Sequence, residues 1–200
     1  MKDAVIELLR QRGVEIRDIA EIVYDLQRHH NSNLTLEQCV ESVLGVIGKR
    51  EAQHAILTGI ALDMLAEGNA LPEPINSIVR RDEPLYGVDE ILALAVTNIY
   101  GSIGLTSFGY LDKMKMGIIG RLNNGGQEQV NTFLDDLVAG VAAAAAARIA
   151  HQQLGVPINS HPPGNAGSAV DAAPGGEPPG TGAGTDLDAG AGPAREAAVG

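Results

Sequence analysis

Residues 125–150 read GGQEQVNTFLDDLVAGVAAAAAARIA, and the fold turns on how this stretch is read. Val130, Phe133, Leu134, Leu137, Val138 and Val141 recur at steps of three and four, the spacing of one helix face. The pattern then runs into Ala139, Gly140 and the alanines from Ala142 to Ala147. Side chains this small let neighbouring helices approach closely, so the expectation is a long helix that is mostly buried. Asp135 and Asp136 fall in the middle of the pattern, one on each flank of the apolar stripe. Adjacent carboxylates in a buried helix destabilise it unless something compensates them. A metal ion or a basic partner would do so. The alternative is that both aspartates reach water or cap another helix, since charged residues are mostly exposed.

Moving outward, the upstream text is helical as well. Residues 3–11 form a short helix closed by Gly13, and residues 16–30 a second with Ile16, Ile19, Ala20, Val23 and Leu26 on one face. Thr35 followed by Gln38 is a capping-box pattern that opens a third helix. A fourth covers residues 50–67 and ends at Gly68, where glycine suits a helix C-terminus. A short helix over 75–81 follows the Pro72 and Pro74 turn. In VDEILALAVTNIY, residues 88–100, the expected core face is Val88, Ile91, Leu92, Ala95 and Ile99. Asp89 and Glu90 lie in its first turn, where the helix dipole favours acids by ~0.3–1 kcal/mol each. A further helix ends near Met116-Gly117, and no strand-like alternation occurs anywhere. The expected fold class is all-α, about seven helices around one core.

Composition excludes several functions. The chain has 200 residues and a formal net charge of −11, which argues against a basic nucleic-acid face. Cys39 is the one cysteine and lies on a core face, so no intramolecular disulfide forms and a reducing cytoplasm fits. The first ten residues carry four charges and no apolar leader core. Residues 91–111 are uncharged and long enough to span a bilayer, yet Asn98, Gly101, Gly104 and flanking acids favour a broken pair of buried helices over a transmembrane span. Residues 154–200 are rich in Gly, Ala and Pro and cannot bury enough apolar surface to offset their ordering entropy. They are expected to form a disordered tail on a domain of residues 1–153.

Three acidic points stand at the rims of apolar helices: Asp89-Glu90, Asp112 and Asp135-Asp136. Five carboxylates suit a hard divalent cation such as magnesium, which prefers oxygen ligands. Lys113, Lys115 and Arg121 follow Asp112 and supply cations for phosphate oxygens. Metal, carboxylates and cations together are what phosphate-ester hydrolysis requires.

LDDLVAGV after Gly125-Gly126, GVDEILAL, and LDKMK with its Asp-x-x-Lys at Asp112 and Lys115 occur in this order. They resemble the three motifs of the phosphatidylglycerophosphatase A family. REAQHAILTGIALDMLAEG and YGSIGLTSFGYLDKMKMGIIGRLN are similar to the soluble, YutG-type branch of Gram-positive bacteria. The resemblance covers residues 3–153 and implies a magnesium-dependent enzyme that removes the terminal phosphate from phosphatidylglycerophosphate. By position it implies Asp89, Glu90, Asp112, Asp135 and Asp136 as metal and catalytic residues, with manganese or calcium as other ions the site would take. It implies Lys115 as a phosphate or carboxylate partner. The chain departs from the membrane-bound enzymes: it has neither their spanning helices nor an early Gly-Thr-x-Gly-Ser, and Met116 replaces the proline after the motif lysine. A water-soluble phosphate ester is therefore an alternative substrate, and a non-catalytic helical module that kept the acidic site is the alternative function. The expected location is the cytoplasm, including the inner face of the membrane, and a homo-oligomer is expected from the small-residue helices.

Overall fold

The structure, a computed structural model, describes residues 1–125 and 129–155. Among them lie nine α-helices and no strand: α1 (Lys2–Gln11), α2 (Ile16–Gln27), α3 (Leu36–Ile47), α4 (Arg50–Glu67), α5 (Ile75–Arg81), α6 (Val88–Thr97), α7 (Ser102–Met114), α8 (Ile118–Asn123) and α9 (Leu134–Gln153). The all-α expectation holds. The count is nine against about seven expected, and α8 is a short piece with no counterpart in the sequence reading. The tail expectation for residues 154–200 lies outside the described residues except for Leu154 and Gly155, which form a turn after α9.

The alanine-rich sequence explains the centre of the molecule. Every residue of α9 from 134 to 147 is buried, as expected of a helix that is apolar all round. α2, α3, α4, α6, α7 and α8 all pack against it, while α1 and α5 pack on α4. Close approach is visible at Gly140: a Cβ there would stand 2.9 Å from the Ala93 carbonyl oxygen of α6. Gly59 plays the same part on α4, where an added Cβ would press on Leu137 and stand 3.0 Å from Phe133 Cβ. On the other side, the Ser42 hydroxyl of α3 donates to the Ala145 carbonyl at 2.9 Å.

Two expectations about helix register are corrected. α9 begins at Leu134, so Asp135 and Asp136 lie in its first turn rather than in its middle. The apolar residues before them, from Val130 to Phe133, are buried in the approach to the helix and not in the helix itself. α6 is also rotated from the expected face. It buries Asp89, Ala93, Val96 and Thr97, and leaves Val88 and Ile91 exposed. The small Ala93 side is the one that fits against Gly140, and turning it inward carries Asp89 inward too.

The remaining ends follow their caps. Thr35 and Gln38 make the expected capping box on α3, with the Thr35 N–H donating to Gln38 Oε1 at 2.9 Å. α2 stops at Gln27, leaving His29 and His30 in the turn beyond it. The uncharged stretch 91–111 is broken by a 3-10 turn (Asn98–Tyr100) and by Gly101 at φ +73°. No described helix is long and apolar enough to cross a membrane.

Candidate functional site

Three helix ends meet around one cavity. α6 and α9 each bring an acidic pair in the first turn, Asp89-Glu90 and Asp135-Asp136. Unpaired N–H groups and the helix dipole make such ends favourable for negative charge. α7 brings Asp112 in its last turn and Lys115 as the residue that closes it. Lys115 adopts φ +45°, a left-handed conformation rare outside glycine, and its N–H still donates to the Leu111 carbonyl at 2.8 Å.

The Lys115 ammonium explains what holds it there. Its Nζ lies 2.9 Å from Asp112 Oδ1, 3.0 Å from Asp135 Oδ2 and 3.3 Å from Asp136 Oδ1. Burial works against its charge, but the carboxylates of Asp135, Asp112 and Asp136 together outweigh this and hold the ammonium above the ordinary lysine range. The Asp136 N–H donates to Asp135 Oδ1 at 2.9 Å, which fixes the two acids relative to each other.

Asp89, Glu90 and Asp136 form the other half of the site. Each offers a carboxylate oxygen, and the three oxygens lie within 4.8 Å of one another. Asp89 Oδ1 and Glu90 Oε2 are buried and accept no hydrogen bond from any described residue. Buried acceptors of this kind normally have a donor. Two of them beside a third carboxylate fit a hard divalent cation, whose ligands are oxygens. The charge crowding is also evident in the proton affinities. Burial, then the neighbouring Glu90, pushes the Asp89 carboxyl up to about 7. Burial, then the charge of Asp135, pushes Asp136 up to about 8, with Lys115 pulling the other way. Burial raises Asp135 to about 6 against the same lysine.

All five expected carboxylates and Lys115 line a single cavity of about 280 Å³, together with Asp82, Tyr86 and Asn123. They divide their work: three face one another, and Asp112 and Asp135 turn to the lysine. Lys113 and Arg121 are not among the residues of this cavity. Lys113 is exposed, and Arg121 pairs with Asp18 of α2 at 3.0 Å beside a different cavity. The motif spacing that places Lys115 therefore does not extend to its basic neighbours.

Two supporting contacts were not anticipated from the sequence. Asp63 of α4, fully buried, accepts the N–H of Phe133 at 3.1 Å and of Leu134 at 3.0 Å. It caps α9 from another helix, and burial raises its carboxyl to about 7 despite those two donors. It stands four residues after Gly59, so the glycine that lets α4 approach also delivers the cap. The second contact is a clamp. Arg12 makes a two-pronged ion pair with Glu67, at 2.6 and 3.0 Å, and donates to the Val130 carbonyl at 2.6 Å. Glu67 in turn accepts the Val130 N–H at 2.8 Å. A lone acid inside the apolar helix text ILTGIALDML was the available hint for Asp63.

Fold and site define an all-helical protein whose carboxylate and lysine centre is assembled from three helix ends. Residues 16–151 match the model of phosphatidylglycerophosphatase A, and the chain belongs to that family. It is 57% identical to YpjQ of Bacillus subtilis over 151 residues, 76% of this chain and 85% of that one. It is 51% identical to YutG of the same organism over 144 residues, 72% and 87% of the two chains. The structure is similar to that of the low temperature requirement C protein from Listeria monocytogenes, with a TM-score of 0.75 at 50% identity, covering 76% of this chain and 96% of that one.

Proposed function

We propose that this chain is a divalent-metal-dependent phosphatase that hydrolyses a phosphate monoester, with phosphatidylglycerophosphate as the substrate the family points to. The observation that carries the reading is the convergence of Asp89, Glu90 and Asp136, two of them with unpartnered buried oxygens, directly beside Lys115. Asp89, Glu90 and Asp136 would hold the ion. A bound divalent cation supplies charge neutralisation of phosphate oxygens and a more acidic water.

The chain's own groups do the rest. Lys115 presents a fixed cation for a phosphate oxygen, while Asp135 keeps it charged and aimed. Asp112 has the most accessible side chain of the three acids on Lys115, at 38% against 5% and 4%. It is the group that takes the proton of an attacking water. Tyr86 sets the wall of the site, its ring edge-on to Phe133 at 5.9 Å. No described helix is long and apolar enough to cross a membrane, so a lipid substrate would be met at the membrane surface.

A second reading rests on Lys115, which already compensates Asp112, Asp135 and Asp136: the cluster would then be a structural network in a non-catalytic module. Phosphate release from phosphatidylglycerophosphate and from water-soluble monoesters, with and without magnesium, decides between them. Magnesium-dependent release is expected, fastest with the lipid. Release from soluble esters only would replace the lipid, and none from any ester would leave the structural reading.

A further inference from the structure

Six of the eleven large apolar side chains exposed among the described residues fall between positions 85 and 114: Leu85, Val88, Ile91, Leu105, Tyr110 and Met114. The topology gathers them. α6 runs away from the acidic cavity and α7 returns to it, and the two pack on each other and on α9. α6 buries Ala93 and Val96, and α7 buries Gly104, Phe108 and Leu111, so their outer sides form one face. Residues 91–111 of this face carry no charge. At its ends Asp89, Glu90 and Asp112 line the acidic cavity, and Lys113 is the exposed charged residue. Gly109 lies in the middle of α7 and is exposed. A Cβ added there would meet no atom within 4 Å, whereas at Gly59 and Gly140 it would press on a neighbouring helix. After proline, glycine is the least favourable residue in a helix interior. No close approach within this chain accounts for Gly109, and an approach from outside it would.

We propose that this face is the twofold interface of a homodimer, covered by the α6 and α7 pair of a second copy of the chain. Charge selects the occupant. Each chain carries a net charge of −11, so two copies repel each other least where both surfaces are uncharged. In a twofold contact the same patch meets itself, and an uncharged patch is complementary to its own copy. An anionic lipid surface calls for the opposite, because it draws clusters of Lys and Arg, and Lys113 is the one basic side chain exposed here. The composition agrees, since the cores of interfaces are depleted in charge and enriched in Tyr and Met. Gly109 is the point of closest approach, where a helix of the second copy lies against the backbone of α7. Leu85 belongs to the wall of the acidic cavity as well as to this face, so the second copy stands at the rim of that cavity. The interface does not depend on the phosphatase reading.

Sedimentation equilibrium of the full chain tests this. The wild type should show the mass of two chains of 20.8 kDa. Ile91→Glu places a charge on the face at a side chain already 65% exposed, and Gly109→Leu fills the point of closest approach with a better helix former. Each should weaken the dimer at least about tenfold, with the far-ultraviolet circular dichroism unchanged. The two changes differ in chemistry, so if one fails to fold the other still decides. Leu65→Glu, at an exposed leucine of α4 outside this face, should leave the dimer intact. A wild type with the mass of one chain at every concentration would overturn the interface. So would a dimer that neither variant weakens, or one that Leu65→Glu weakens equally. Flotation with vesicles of phosphatidylcholine and phosphatidylglycerol covers the other occupant. A one-chain wild type that binds them, with binding lost in Ile91→Glu, would make this a membrane-docking face and end the dimer proposal.

Discussion

Asp136 is the residue on which both halves of the site depend, since it faces Asp89 and Glu90 on one side and Lys115 on the other. Asp136→Asn keeps the volume and removes the charge. Magnesium-dependent hydrolysis should fall at least about a hundredfold, in line with loss of a positioned electrostatic group. The metal-free fold should be as stable as before or slightly more so, because burial and the neighbouring Asp135 already disfavour the Asp136 charge. If Asp136 served only to neutralise Lys115, the same change would destabilise the metal-free chain, up to ~3–5 kcal/mol for a buried pair. Chemical denaturation without metal reads the sign. The acids themselves were legible in sequence because each interrupts an apolar helix pattern, and Lys115 because it lies three residues after Asp112.

The pH dependence belongs to the same side chains. Asp63, Asp89, Asp135 and Asp136 are raised to between about 6 and about 8 in the metal-free fold. The folded chain thus retains protons that the unfolded chain releases above about 4. Where the unfolded state binds fewer protons, stability falls as pH rises. Metal-free stability should therefore be highest on the acid side and decline from about pH 4 through pH 8. Magnesium should oppose this, so its stabilisation should be larger at pH 8 than at pH 6. Denaturation midpoints at both values, with and without the ion, measure it. A metal-free chain that gains stability between them would contradict the burial of these acids.

At the scale of elements, the start of α9 is decided by a carboxylate on α4. The register expected from Val130 to Val141 is correct in its apolar content and wrong in its starting point. Periodicity cannot show where a chain turns into a helix when the residues before it are buried as well. The cap is Asp63, seventy positions upstream of Phe133, and contacts at that separation leave no local pattern. Asp63→Ala should cost ~1–3 kcal/mol by leaving two buried N–H groups without their acceptor, measured as a lower denaturation midpoint. The rotation of α6 has a similar cause: Ala93 had to meet Gly140, and no local spacing announces a partner on another helix. Gly140→Ala tests that contact. Helix propensity alone favours alanine by ~1 kcal/mol. Because the new methyl would meet the Ala93 carbonyl at 2.9 Å, the net effect should be a loss of ~1–3 kcal/mol, as for overpacked cores. A stabilised variant would mean that α6 and α9 can move apart.

At the scale of the molecule, the all-α class and the broken uncharged stretch 91–111 were legible in sequence, because both rest on local composition. The meeting of three helix ends was not: the chemistry of the residues grouped the acidic points, and their convergence in space had to be assumed. A metal ion held by Asp89, Glu90 and Asp136, as proposed, would couple folding to ion concentration. An ion that binds the folded state alone stabilises it by about 2.7 kcal/mol at a hundred times its dissociation constant. Magnesium or manganese should therefore raise the melting temperature by several degrees, and Asp89→Asn should abolish the rise.

The clamp at Val130 ties the chemistry to the opposite end of the chain. Arg12 sits just after α1, before the matched family span begins at residue 16. A chain trimmed to that span would keep every acidic residue of the site and lose the cation that steadies the approach to α9. Glu67 would keep its hold on the Val130 N–H while losing its two-pronged ion pair with Arg12. The first helix thus acts as a tether on the floor of the candidate site. A trimmed chain with all its motifs intact should show a loosened entry to α9 and, if the proposed ion binds, a weaker grip on it.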